Sequence, residues 1–401
     1  MAIGHLADDD TLAAWLRLAL TPGIGSQGAR RLLAHFGTPT RVLQATAHDL
    51  VQVVGEPRAR ALAGQDAALE SKVAHTLNWS GTSAHHHLVT LDDPDYPSGL
   101  LQLADPPMVL HVVGQRQSLN RPMVAVVGSR NATAGGVAHA RAFSAELSGA
   151  GLTVVSGMAL GIDAAAHDGA LAGGSGTVAV LGTGVDIIYP RRHLALSERI
   201  ALNGALVSEL PLGTAPLPGL FPRRNRLIAA MARGVLVIEA ALRSGSLITA
   251  RLAADYGREV FALPGSIHSP LARGCHALIK EGARLVESVE DLLSEWPGGR
   301  PQTHPSAAAY GAAHTAAQTS AHNSPHISAT PAPPGQERAL CDPACGRLLA
   351  AIGHEPVLPD TLAEHLGMPS STLGAQLVLL EIDGHVVRCP DGRVVRQGPS
   401  S

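Results

Sequence analysis

Three arginines, Arg223, Arg224 and Arg226, fall within four residues at the start of LFPRRNRLIAAM, 220–231, a stretch that then turns apolar. Pro222 suits the first turn of a helix, because its fixed φ is helical and its missing N–H would have no partner there. A helix N-terminus carries about half a positive charge from its aligned peptide dipoles and ordinarily attracts Asp or Glu. Arginines at that end oppose the dipole unless an anion sits in front of them. A phosphate would be held there by free N–H groups and guanidinium forks together. A solvated basic turn is the plain alternative, so the elements around this stretch decide between them.

Those elements begin at Met123. MVAVVG, LTVVS, TVAVLG, ALVSE, VLVIEA and REVFALPG are short continuous apolar runs, alternating with segments of helical pattern. Such runs are strands buried on both faces of a parallel sheet. The fold class is therefore α/β, a Rossmann-like doubly wound, mostly parallel sheet. In such a sheet the C-terminal strand ends open at one edge, where ligands bind. The turns at that edge are Gly128-Ser129-Arg130, Ser156-Gly157 through Gly161-Ile162-Asp163, Gly182 through Asp186, and Ser244-Gly245-Ser246. Glycine lets backbone approach a ligand and serine offers a hydroxyl. With Arg130 and the 223–226 arginines, they make an edge shaped for phosphate. The first turn is not G-x-G-x-x-G, and there is no G-x-x-x-x-G-K-[ST], so neither NAD nor a P-loop nucleotide is expected. No cofactor and no metal is assigned. Asp163 and Asp186 read as helix caps, and Glu239 as structural.

The flanks differ in character. Residues 1–80 read as a small helical domain, in which Thr21-Pro22-Gly23-Ile24-Gly25 separates two helices. That loop is either a helix-hairpin-helix element, whose backbone N–H groups touch DNA phosphates, or a plain αα-hairpin. His85–His87 reads as surface loop. Residues 81–296 hold the extended Rossmann-like domain, 297–336 a polar linker rich in Ala, His, Pro, Ser and Thr, and 337–401 a winged-helix-like domain. The linker leaves that last domain a separate module. Its presumed recognition helix, Ser370–Ile382, has no Lys or Arg, which is poor equipment for gripping a duplex. The chain's net charge is −3, yet residues 116–296 hold 17 Lys and Arg against 14 Asp and Glu, while both flanks are net negative. A polyanion therefore belongs on the middle segment. The four cysteines are too scattered for a disulfide framework, and Cys341 and Cys345 lack the second pair of a metal site. Neither a signal pattern nor a run of 18 apolar residues occurs, so no membrane is involved and a cytoplasmic protein is expected.

VVGSR at 126–130, SGMALGID at 156–163, GTGVDIIYP at 182–190, FPRRNRLIAA at 221–230 and SGSLITA at 244–250 together resemble the motif set of the DprA/Smf (DNA processing protein A) family. The likeness covers about residues 90–295, with five motifs in order. It implies a homodimeric mediator without catalysis of its own, which binds and protects incoming single-stranded DNA in natural transformation. It also implies loading of RecA onto that strand past single-strand-binding protein. By motif, Arg130, Phe221, Arg223, Arg224, Asn225 and Arg226 would contact DNA, and Gly128, Ser129, Ser156, Gly157, Gly161, Ser244, Gly245 and Ser246 would shape the pocket. A dimer surface would use Ile267, Leu271, Cys275, Leu278 and Ile279. Phe221 beside arginines fits this, since base stacking plus a backbone clamp tolerates any sequence. Loss of Arg130 or Arg226 is expected to weaken binding while the fold survives. Two other readings stand beside it. A nucleotide phosphoribohydrolase-like enzyme would need PGGxGTxxE, where this chain has Pro264-Gly265-Ser266-Ile267-His268. A winged-helix regulator of double-stranded DNA would need the basic residues that the last domain lacks.

Overall fold

The computed structural model describes residues 9–296, 343–353, 355–389 and 391–397. The expected linker and Cys341 lie outside the described residues. Among the described residues six helices come first: α1 (Asp9–Leu20), α2 (Gly25–Phe36), α3 (Pro39–Gln44), α4 (Ala47–Val54), α5 (Glu56–Ala63) and α6 (Ala67–Gly81). Thr38, Thr46 and Asp66 cap α3, α4 and α6 by accepting first-turn N–H groups.

A nine-stranded sheet follows. Its strands are β1 (His86–Thr90), β2 (Val109–Gly114), β3 (Met123–Val127), β4 (Thr153–Ser156), β5 (Thr177–Val180), β6 (Ala205–Ser208), β7 (Gly234–Val237), β8 (Glu259–Ala262) and β9 (Arg284–Leu285). They lie in the order β1-β2-β6-β5-β4-β3-β7-β8-β9. β1–β2 and β2–β6 pair antiparallel and the rest parallel, which is the expected class with an antiparallel edge added. The histidine run is not wholly surface loop, because β1 starts at His86. The His86 ring stacks on Trp79 with centroids 4.4 Å apart, and His87 Nε2 lies 3.1 Å from the Gly114 carbonyl oxygen.

Between the strands come α7 (Ala134–Gly149), α8 (Ile162–Gly173), α9 (Leu194–Asn203), α10 (Leu220–Met231), α11 (Ser246–Asp255), α12 (Arg273–Lys280) and α13 (Val289–Leu293). Strand alternation divides the core between the two faces. Ala125 and Val127 of β3 pack with α10 and α11, whereas Val124 and Val126 pack with α7, α8 and α13. The helical domain is not a free bundle: Leu88, Met108 and Val109 at the sheet edge are buried in its core.

The last domain is built of α14 (Pro343–Ile352), α15 (Pro359–Leu366), α16 (Ser370–Ile382) and the hairpin β10 (Val386–Arg388) with β11 (Val394–Arg396). This is a winged helix. It is less separate than the linker implied, because Ala134 at the start of α7 lies in its core. Among the described residues, no helix is long and apolar enough to cross a membrane.

The expected dimer segment divides on burial. Cys275 is fully buried and Leu278 is 5% exposed, both in the core beneath the sheet, so neither can face a second copy. Burial pushes the Cys275 thiol up to about 12, so it stays protonated. Ile267 is the exposed member at 74%, with Leu271 and Ile279 half-buried. Leu278→Glu should therefore cost the fold at least about 3 kcal/mol, by placing an unpaired carboxylate in the core. Ile267→Glu should stay within about 0.5 kcal/mol of the parent. Chemical denaturation of the two variants checks both.

Candidate nucleic-acid interface

The strand order reverses at β3, and its turn and that of β7 open side by side at the C-terminal edge of the sheet. A cavity of about 510 Å³ lies there, walled by the turn after β3, the first turn of α10 and the turn leading into α11. The β3 turn is pinned at Ser129. Its N–H donates to the Glu239 carbonyl at 2.7 Å, its own carbonyl accepts from Ile162 N–H at 3.2 Å, and its hydroxyl accepts from Asn131 N–H at 3.1 Å. Arg130 is thereby held exposed at the rim, its Cζ 5.6 Å from the centroid of the Phe221 ring. Phe221 in turn lies 5.6 Å from Tyr189, centroid to centroid, at 41°. Across the cleft, Asn225 Nδ2 donates to the Gly245 carbonyl at 3.4 Å, and the Ser244 and Ser246 hydroxyls share a 2.7 Å hydrogen bond. The rim is thus cationic and aromatic, and the far wall offers hydroxyls and backbone.

Arg224 forms part of the floor. It is 4% exposed, donates to the Val180 carbonyl at the end of β5, and covers Gly157, where a Cβ would overlap its guanidinium. Asp163 beside it accepts from Gly157 N–H at 3.2 Å and Ala159 N–H at 3.3 Å. Burial raises the Asp163 pKa, and the Arg224 charge opposes that rise. Burial likewise lowers Arg224 to about 10, with Asp163 opposing, which still leaves a cation at neutral pH. Burial, with Arg224 adding to it, pushes His167 down to about 3, so this ring stays neutral under the floor.

The two expected aspartate caps are corrected here. Helix α8 has no side-chain cap, and Asp163 clasps the loop before it. Asp186 ties two loops together by accepting from Gly213 N–H. Glu239 is structural as read, accepting from Thr133 N–H at 3.0 Å and Thr133 Oγ1–H at 2.6 Å.

Of the residues assigned from sequence, the cavity brings together Gly128, Ser129, Arg130, Phe221, Arg224, Asn225, Ser244, Gly245 and Ser246. Ser156 and Gly157 lie beneath it; the Ser156 hydroxyl donates to the Val126 carbonyl. Gly161 packs against the Ser129 and Arg130 carbonyls, in a left-handed backbone with φ 74°. Arg226 does not reach the cavity. It is 8% exposed and pairs with Glu209, with Asp105 at 3.5 Å. Arg223 turns toward a different opening. Sequence reasoning missed Tyr189 and Arg243. Tyr189 was visible as an aromatic residue in GTGVDIIYP, in a chain with 3% aromatics, and Arg243 as the neighbour of Ser244.

Arg226 is thus a structural residue, and its loss should not leave the fold untouched. Burial raises the Glu209 carboxyl's pKa, opposed mainly by Arg226 and less by Arg223. Removing Arg226 strands that buried acid, so Arg226→Ala should destabilise by about 3 kcal/mol. Arg223→Ala should change stability by no more than about 0.5 kcal/mol. Unfolding curves of the two variants at neutral pH distinguish them; equal curves would contradict the assignment.

Fold and site together define a doubly wound α/β protein with an arginine- and aromatic-rimmed cleft at its strand switch point, flanked by a helical domain and a winged helix. The chain belongs to the DNA recombination-mediator protein A family, whose model matches residues 87–297, and the DprA winged helix domain matches residues 328–392. It is similar to Protein Smf of Escherichia coli, 41% identical over 77% of each chain. Protein Smf of Synechocystis is 34% identical over 96% of this chain and 98% of its own. Among solved structures, DNA processing protein A from Streptococcus pneumoniae superposes with a TM-score of 0.60 at 34% identity, covering 72% of this chain and 98% of the other.

Proposed function

We propose that this chain binds single-stranded DNA in the cleft at the strand switch point and acts as a recombination mediator without a reaction of its own. The observation that carries this is the Arg130–Phe221–Tyr189 rim. The exposed Tyr189 ring and the half-buried Phe221 ring offer faces to unpaired bases of any sequence, and a guanidinium beside them holds the phosphate between. The floor fits the same reading, since buried Arg224 remains a cation there, with the Asp163 carboxyl beside it holding the loop.

The finer reading follows from the family likeness. The bound strand is one taken up in natural transformation, RecA is loaded onto it past single-strand-binding protein, and the protein works in the cytoplasm. It does so as a homodimer, through a surface that includes Ile267 with Leu271 and Ile279.

Fluorescence anisotropy with mixed-sequence oligonucleotides should show preference for single over double strands. Phe221→Ala should cost about 1–3 kcal/mol of binding, the size of one base stack. Arg130→Ala should lower the slope of log affinity against log salt by about 0.7, because one phosphate fewer is neutralised. Binding by the Arg130→Ala/Phe221→Ala double variant equal to that of the parent would overturn the cleft as the binding site. Sedimentation of Ile267→Glu should give a monomer; a dimer would place the interface elsewhere.

A further inference from the structure

A second opening lies on the other side of α10, where the helical domain meets the sheet domain. It has a volume of about 530 Å³ and is lined by Gly23 and Ile24, the first turn of α2 (residues 25–28), Arg31 of α2, Arg58 of α5 and Arg223 of α10. Three guanidinium groups thus converge from three elements. Arg31 and Arg58 form no ion pair among the described residues; Arg58 Nε donates only to the Gly23 carbonyl, at 2.9 Å. Arg223 is half-exposed and lies 3.4 Å from Glu209, whose nearer partner is Arg226. The acidic residue of the lining, Asp105, lies 3.5 Å from Arg226. The convergence is not a consequence of composition, because residues 1–115 hold 7 Lys and Arg against 11 Asp and Glu.

The backbone here adds to the arginines. Gly23 and Gly25 have φ of 81° and 57°, and neither position meets a neighbour within 4 Å, so the backbone entering α2 stays bare toward the opening. Helix α2 has no side-chain cap and no acid in its first turn. The opening is also held in place. The helical domain shares core with β1 and β2, and Arg30 Nη1 donates to the Ala104 carbonyl at 3.0 Å.

We infer that this opening is a second phosphate-binding site, formed by Arg31, Arg58 and Arg223, which takes the backbone of the same single strand as it leaves the main cleft. The inference rests on the reading of that cleft as a single-strand site. Continuity comes from α10: Phe221, Pro222 and Asn225 line the cleft, and Arg223 lines this opening. A strand stacked at Phe221 that runs over the first turn of α10 passes from one to the other. The site has cations but no aromatic ring in its lining, so it grips phosphates and leaves bases unread. The helical domain thereby lengthens the footprint without adding sequence preference.

The test uses the full chain and oligothymidylates of two lengths, roughly six nucleotides for the cleft alone and roughly twenty-five for both sites. Arg31 and Arg58 are exposed, so Arg31→Glu/Arg58→Glu should fold as the parent does. With the long oligonucleotide, its slope of log affinity against log salt should fall by about 1.4, and affinity at low salt by about tenfold or more. With the short one, binding should be unchanged. Arg31→Lys/Arg58→Lys should keep most of the long-strand slope. An unchanged slope with the long strand overturns the second site and leaves the cleft standing. Equal weakening with both lengths also overturns it, since the arginines would then act through the cleft. If the parent binds neither oligonucleotide, the cleft reading itself falls, and the second site with it.

Discussion

The buried guanidinium of Arg224 joins four parts of the chain that the sequence separates. It belongs to α10, donates to the end of β5, lies over the Gly157 loop that follows β4, and faces the Asp163 carboxylate on α8. Taking two charges out of water is costly, and an apolar replacement of equal volume is often as stable. What such a pair adds is geometry. Asp163 grips two backbone N–H groups of the loop, and Arg224 fits only because position 157 has no Cβ. The floor of the cleft is thus set to one arrangement, and the exposed groups of the rim are positioned upon it.

The rim depends on a second constraint, the close approach of turns at the switch point. Ser129 takes three backbone-linked hydrogen bonds, to the strand-end segment of β7, to the start of α8 and to its own turn. That fixes the backbone from which the exposed Arg130 projects. Phe221 sits against Gly182, where a Cβ would meet its ring, so the aromatic face also rests on a position that tolerates no side chain. A cleft assembled in this way is preformed, and a flexible strand that enters it bears nearly all of the ordering cost.

Helix α10 organises the molecule on a larger scale. Its N-terminal turn separates two openings, its Arg226 anchors the Glu209 segment, and its apolar end, Leu227 through Met231, packs into the sheet. The flanking domains attach at different places. The helical domain shares core with the antiparallel edge, next to the Arg223 side, whereas the winged helix takes Ala134 into its core at the start of α7. The winged helix leaves Val378 and Leu379 of α16 exposed, and that helix carries no Lys or Arg.

Much of this is legible in one dimension, because it depends on local period and turn chemistry. Continuous apolar runs such as MVAVV and VLV mark the parallel strands, their spacing the doubly wound order, and the Gly and Ser turns the edge at which a ligand would bind. The basic cluster of the middle segment is legible too, as are the five motifs of the family. The histidine run misleads because β1 is an edge strand, added to the sheet by pairing with β2, which local sequence does not announce. Cys275 and Leu278 look like any apolar pair in SIHSPLARGCHALI, and only packing against the sheet shows that they are core. The arginines are the clearest case. Successive residues on a helix are turned by about 100°, so Arg223, Arg224 and Arg226 leave α10 in three directions. The sequence determined that three charges stand at that helix end. Which of them meets solvent, which lies beneath the cleft and which pairs with Glu209 was decided by how α10 packs on the sheet, since only that packing places a carbonyl, a loop or a buried acid in front of each.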